Sequence, residues 1–264
     1  MTTEETTTGQ SASGWHRVAA AIRCPQLFAY RELLGIKPML ERIETARGTV
    51  LHEMLRVWYR GQGYEDAIAT ARAMPERYHV AVPSTLALFE GYIRQYPTES
   101  FKVLDTEVEL EVALAGLPFT RRIDLVVRDG RGMVMIYDHK TAGRPAQRAK
   151  SAELDWSLMT QELVMRPQCV ARYGLRYGGF ILNLIGTHEQ EYRRQAVLFN
   201  ATVLATAARS IHYYLSEINR LADATVSPWE YPRSGACIDR FGVCDYRDLC
   251  DYGVAALSGF LTVA

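Results

Sequence analysis

Between residues 107 and 112 the chain alternates charged and apolar side chains, and a two-residue period specifies a strand. In VLDTEVELEVAL, Glu107, Glu109 and Glu111 alternate with Val108, Leu110 and Val112. FTRRIDLVV (119–127) and GMVMIYDHK (132–140) are the next two strands. The segment RDGRG (128–132) between them carries an Asp-Gly pair of the kind that closes hairpins. Further on, GGFILNLIG (178–186) and EYRRQAVLF (191–199) predict two more strands. With 48% hydrophobic and 23% charged residues, a chain of 264 residues can bury a core around such a sheet.

The rest of the chain is predicted to be helical. A first helix runs from about Trp15 to Leu34 and is interrupted at Cys24-Pro25. A second covers about Glu41 to Gly61, with Leu51, Met54, Leu55 and Trp58 on one stripe. More helix is expected over 64–96, broken near Pro75 and Pro83, then over 151–177 and 200–221. The first third offers no strand pattern. The Thr/Ser-rich residues 1–14 read as a disordered tail lacking the features of a secretory signal, so a cytoplasmic location is expected. No apolar stretch reaches the roughly 20 residues of a membrane span.

The apolar run MVMIYDHKTAG ends in charge. Residues two apart on a strand share a face, so Asp138 and Lys140 project together and His139 points the other way. The hairpin turn sets Asp124 opposite residue 137 or 138, which brings the two carboxylates to within roughly 5–8 Å. Like charges that close repel, and a divalent cation between them removes the conflict. The bland alternative for the triplet is a surface ion pair at a strand end. Lys+Arg and Asp+Glu balance at 30 each, so no global basic field marks the chain, although Arg144, Arg148 and Lys150, and again Arg166, Arg172 and Arg176, cluster locally.

RRIDLVVRDGRGMVMIYDHKTAG resembles the core of the PD-(D/E)xK nuclease superfamily, in its RecB-like exonuclease branch. The resemblance implies an α/β fold: a mixed central β-sheet with flanking helices, a restriction-endonuclease-like core, plus a helical, cluster-bearing cap. It implies one domain over 15–264, helical over about 15–100, with the nuclease core over about 101–200 and a helix and Cys-rich tail over about 200–264. Asp124 and Asp138 take the places of the branch's two acids and Lys140 that of its catalytic lysine. Arg122 departs from the pattern, which has glycine two residues before the first acid. The stretch RGTVLHEML supplies Gly48 and His52 for the branch's Gly-x-x-x-His element, making His52 a metal ligand beside Asp124 and Asp138. Glu107 is open to two readings, a further acid or a solvent-facing strand glutamate like its neighbours. The branch also carries Gln and Tyr four residues apart on the next helix; here Gln168 and Tyr173 are five apart, so Gln168 is assigned to the site. Tyr173 is open between core packing and, with Arg172, contact to DNA.

Cys237, Cys244 and Cys250 form a C-x6-C-x5-C run, and Cys24 lies far upstream in RCPQLFAY. Cysteines in a chain of this kind point to metal, cluster or redox use. One early and three late cysteines resemble the iron–sulfur arrangement of RecB-like nucleases, including CRISPR-associated adaptation exonucleases and AddB-type subunits. That resemblance implies a [4Fe–4S] cluster, with structural Zn²⁺ the alternative. Cys169 reads as a small buried hydrophobe.

The family resemblance therefore implies a Mg²⁺- or Mn²⁺-dependent deoxyribonuclease, an exonuclease on single-stranded DNA or DNA ends, serving repair, recombination or phage- and CRISPR-related processing. A non-catalytic, cluster-stabilised DNA-binding module is the alternative. No G-x-x-x-x-G-K-[ST] segment occurs, so unwinding would fall to a helicase or recombination partner.

Overall fold

The computed structural model describes residues 14–39, 42–114, 116–188, 191–223, 225–239 and 242–262. Of the expected tail, residues 1–13 lie outside the described residues, and Gly14 forms a β-bridge to Thr120. In chain order the main elements are α1 (Trp15–Arg23), α2 (Pro25–Phe28), β1 (Ile36–Pro38), α3 (Ile43–Tyr59), α4 (Tyr64–Ala73) and α5 (Val82–Gln95). Then come β2 (Lys102–Leu114), β3 (Leu117–Arg128), β4 (Val134–Ala142), α6 (Pro145–Lys150), α7 (Trp156–Met165), α8 (Cys169–Tyr173), β5 (Tyr177–Gly186) and β6 (Tyr192–Val197). The chain continues through α9 (Ala201–Ala222), β7 (Ile238–Asp239), β8 (Gly242–Val243), α10 (Arg247–Tyr252) and β9 (Phe260–Thr262).

Two compact units result: one comprises Glu41–Leu110 and Arg121–Ala207, the other Met1–Leu40, Glu111–Thr120 and Ala208–Ala264. The five-stranded sheet has the order β2-β3-β4-β5-β6. It is mixed because β3–β4 and β5–β6 are antiparallel and β4–β5 is parallel. A parallel neighbour needs a crossover, and α6, α7 and α8 supply it between β4 and β5. The stripe read from α3 is a core face: Leu51, Met54 and Leu55 are buried with Phe89, Tyr92, Leu125, Val127 and Ile185, and Trp58 packs against them. Helix α3 begins at Ile43, within the expected span, and Pro83 opens α5 in its first turn rather than breaking it.

In the other unit Pro25 separates α1 from α2, leaving Cys24 extended between them at φ −166°. A small core of Leu27, Tyr30, Ile36, Tyr246 and Leu249 joins the early helices to the C-terminal tail. Buried hydroxyls tie the same pieces, Tyr30 donating to the Leu249 carbonyl at 3.2 Å and Tyr246 to that of Ile36 at 3.0 Å. The expectation that the first third is free of strand is corrected here: β1 pairs antiparallel with β9. Three residues are too few to display a period, and the partner lies more than 200 residues away.

Gly186 ends β5 where its amide donates to the Glu191 carbonyl at 2.7 Å. A Cβ there would meet that oxygen at 2.8 Å and the Glu191 nitrogen at 2.9 Å, backbone atoms that no rotamer change can move. Gly186→Ala is therefore expected to cost about 1–3 kcal/mol of stability, measurable by urea denaturation.

Candidate metal centre

The hairpin register pairs Leu125 with Tyr137, so the next step along β3 and β4 sets Asp124 against Asp138. Asp138 is 1% exposed and His139 2%, each on its own face of β4. Asp124 accepts the main-chain N–H of His139 at 2.7 Å. One residue of β4 thus anchors the carboxylate of β3.

Helix α3 packs on β4 and delivers His52. Its Nε2 lies 2.7 Å from the His139 carbonyl, so that nitrogen carries the proton and donates. Nδ1 then faces two carboxylates, Asp124 Oδ2 at 3.6 Å and Glu107 Oε1 at 3.7 Å. Burial opposes a charged ring, but the Asp124 charge and the contact with Glu107 outweigh it and push His52 up to about 9. Burial likewise opposes ionisation of Asp124, and the charges of His52 and Lys140 overcome it, holding this carboxyl below its ordinary range. Glu107 moves the other way, raised by burial and by the Asp124 charge. Of the alternating glutamates, Glu109 and Glu111 are exposed, whereas Glu107 turns into the site. It does so at φ +51°, a left-handed conformation that costs a non-glycine residue about 1–3 kcal/mol. Arg122 pairs with its second oxygen at 2.8 Å.

The fourth member of the site is Asp138. Its Oδ1 accepts from Lys140 Nζ at 2.7 Å and from the Gln161 side-chain amide of α7. Its Oδ2 is buried without a hydrogen-bond partner. An orphaned carboxylate oxygen is costly unless something cationic reaches it. Burial works against the Lys140 ammonium, and the charges of Asp138 and Asp124 more than offset it, so Lys140 stays charged. Behind the acids, Arg121 Nη2 donates to the Ser157 carbonyl at 3.1 Å, fixing the first turn of α7 that carries Gln161.

The donor set fits a divalent cation. His52 Nδ1, a Glu107 oxygen and an Asp124 oxygen lie within 4.8 Å of one another. The protonated Nε2 bound to a main-chain carbonyl is the second-shell arrangement that orients a ligating histidine.

The structure brings His52, Glu107 and Asp124 within 4.8 Å of one another, and it pairs Asp138 with Lys140. Gln168 is not among them: its amide donates to the Val164 carbonyl at 3.1 Å. The glutamine that touches Asp138 is Gln161, which the sequence reading missed. The one amide in SLMTQELVM, a run with Leu158, Met159, Leu163, Val164 and Met165, was the available signal. Arg172 and Tyr173 both bind Asp105 of β2, at 3.1 and 3.2 Å. Tyr137 is a core residue, and Tyr177 donates to Glu162 at 3.1 Å.

Cys24, Cys237, Cys244 and Cys250 all fall in the second unit. Ser234 contacts two of them, its amide facing Cys24 Sγ at 3.5 Å and its carbonyl accepting from Cys237 Sγ at 3.9 Å. The Cys244 amide donates to the Cys237 carbonyl at 2.8 Å, and Cys24, Cys244 and Cys250 line one small core. No three of these thiols lie within 4.8 Å of one another. Cys169 is buried and apart, and burial pushes its thiol up to about 11.

Comparison with known families gives a match over residues 15–251 to the PD-(D/E)XK nuclease superfamily. The chain belongs to that superfamily. No curated protein matches it. Among solved structures, the crystal structure named "Putative exonuclease" from Eubacterium rectale superposes with a TM-score of 0.57 at 12% identity, covering 97% of this chain and 93% of that one. A second, SSO0001, has a TM-score of 0.32 at 17% identity over 76% of this chain and 85% of its own. The first likeness bears out the fold, a mixed sheet with flanking helices. Among the described residues no helix is long and apolar enough to cross a membrane.

Removing the Gln161 amide should expose how closely Asp138 is balanced. Gln161→Leu leaves a buried charge with one partner fewer, a loss of about 1.5–3 kcal/mol, read by urea denaturation in EDTA.

Proposed function

We propose that the chain is a Mg²⁺- or Mn²⁺-dependent deoxyribonuclease of the RecB-like branch, cutting single-stranded DNA or DNA ends as an exonuclease. The observation that carries this reading is the convergence of His52, Glu107 and Asp124 beside the unpartnered, buried Oδ2 of Asp138. His52, Asp124 and Asp138 would hold the cation, with Glu107 as a further acid. A divalent ion bound there supplies an activated water and compensates charge building up on the phosphate.

The side chains divide the remaining work. Lys140, held 2.7 Å from Asp138, puts a fixed ammonium at the site to orient the attacking water and to balance phosphate charge. Gln161 holds the Asp138 carboxylate against rotation. Arg122 is 42% exposed and places a guanidinium at the rim, suited to a phosphate of the incoming strand.

The four cysteines would carry a [4Fe–4S] cluster that ties the early helices to the C-terminal tail. Ser234 contacts Cys24 and Cys237, and Cys24 shares a small core with Cys244 and Cys250, which supports one shared group. A sample purified without oxygen should be brown, with about four irons per chain, and Cys250→Ser should lose both. A colourless sample holding stoichiometric zinc contradicts the cluster.

Catalysis is tested on end-labelled single- and double-stranded DNA with Mn²⁺. Wild type should degrade at least one, and Asp138→Ala and Lys140→Ala should each lose 10²-fold or more. If wild type degrades neither substrate, the enzymatic reading falls, and DNA binding by that protein would favour a non-catalytic module.

A further inference from the structure

The opposite face of β4 carries a buried polar assembly that the chemistry above leaves unused. The His139 ring is neutral, its pKa pushed down to about 3 by burial. It stacks on Tyr59 of α3 with centroids 5.8 Å apart and planes 2° from parallel. The Asn183 amide on β5 reaches His139 Nδ1 at 2.7 Å and the Tyr92 hydroxyl at 2.9 Å. The Tyr92 and Tyr59 hydroxyls meet at 2.6 Å. Arg194 on β6 donates to Tyr92 at 2.9 Å and forms a two-pronged pair with Glu99 at 2.7 and 2.5 Å. Its guanidinium lies 3.7 Å from the Tyr96 ring centroid. Residues of α3, α5, β5 and β6 thus form one network that meets the imidazole through Tyr59 and Asn183.

His139 is also the residue whose main chain grips the metal centre. Its N–H holds Asp124, and its carbonyl holds His52. Both contacts depend on where one residue of β4 sits and how its two peptide planes are tilted. The Arg194–Glu99 pair is bidentate and only partly buried, and Arg194 also bonds the Tyr92 hydroxyl, so the pair anchors the buried part of the network from its outer end.

We propose that His139 is a positioning residue through which the Asn183–Tyr92–Tyr59–Arg194–Glu99 network sets the geometry of the two ligands His52 and Asp124. The network acts on cation affinity through the His139 main chain, without touching DNA. This rests on the proposed metal centre at those residues. Outer-shell partners of metal ligands typically control affinity by 10- to 100-fold, here relayed through one more residue.

The test is a calorimetric titration of Mn²⁺ into full-length protein without DNA, beside its melting temperature. Asn183→Leu removes both amide contacts at similar volume, and Glu99→Gln weakens the Arg194 anchor. Phe89→Leu, in the apolar core of the same unit, calibrates for simple loss of stability. Asn183→Leu is expected to weaken Mn²⁺ binding about 10-fold or more, and Glu99→Gln in the same direction by less. Phe89→Leu should bind as wild type despite a comparable fall in melting temperature. If Asn183→Leu does not fold, Glu99→Gln alone decides. Unchanged affinity in the network variants, or an equal loss in Phe89→Leu, overturns the positioning role while the metal centre stands. Wild type that binds no Mn²⁺ removes the metal centre itself, and this proposal with it.

Discussion

Carboxylates gathered on one side of a sheet must be balanced by positive charge, and much of this structure answers that requirement. Asp124 and Asp138 face each other across the hairpin, and Glu107 turns toward them from β2 at a strained φ of +51°. His52, Lys140, Arg121 and Arg122 supply the balance from α3, β4 and β3. The compensation is incomplete at Asp138 Oδ2, which is buried without a partner. Without a cation, protonated His52 carries one of the two positive charges that a divalent ion would bring. That relation supports the proposal that the site receives a metal.

Each side chain of the site is held by an ordinary element whose local sequence explains it. The Asp-Gly turn sets the hairpin register, and the register sets Asp124 against Asp138. The apolar stripe of α3 seats that helix in the core and brings His52 to the His139 carbonyl. The crossover from β4 to β5 places α7, and with it Gln161, over Asp138. In the second unit Pro25 breaks the first helix at Cys24, and a small core rich in aromatics packs against Cys24, Cys244 and Cys250.

The sheet and the acids were legible because strands write a two-residue period, and that period assigns faces to Asp138, His139 and Lys140. His52 was legible only through the Gly-x-x-x-His element of the family resemblance, Gly48 to His52. Gln161 was not, because the Gln–Tyr pair of the resemblance pointed to Gln168, which lies in the short 3-10 turn after α7 and bonds the Val164 carbonyl. The role of Glu107 depends on a backbone dihedral that alternation alone does not reveal. The pairing of β1 with β9 joins three residues at each end of the chain, below the length at which any pattern shows. The network behind His139 draws on residues from 59 to 194, and no local signal links them.

The most direct measurement of the central claim is the electron paramagnetic resonance of bound Mn²⁺ in protein carrying ¹⁵N-labelled histidine. A metal centre on His52, Asp124 and Asp138 predicts hyperfine coupling from one histidine nitrogen that disappears in His52→Ala. Mn²⁺ bound without nitrogen coupling, or a coupling that survives His52→Ala, would place the ion elsewhere and contradict the account.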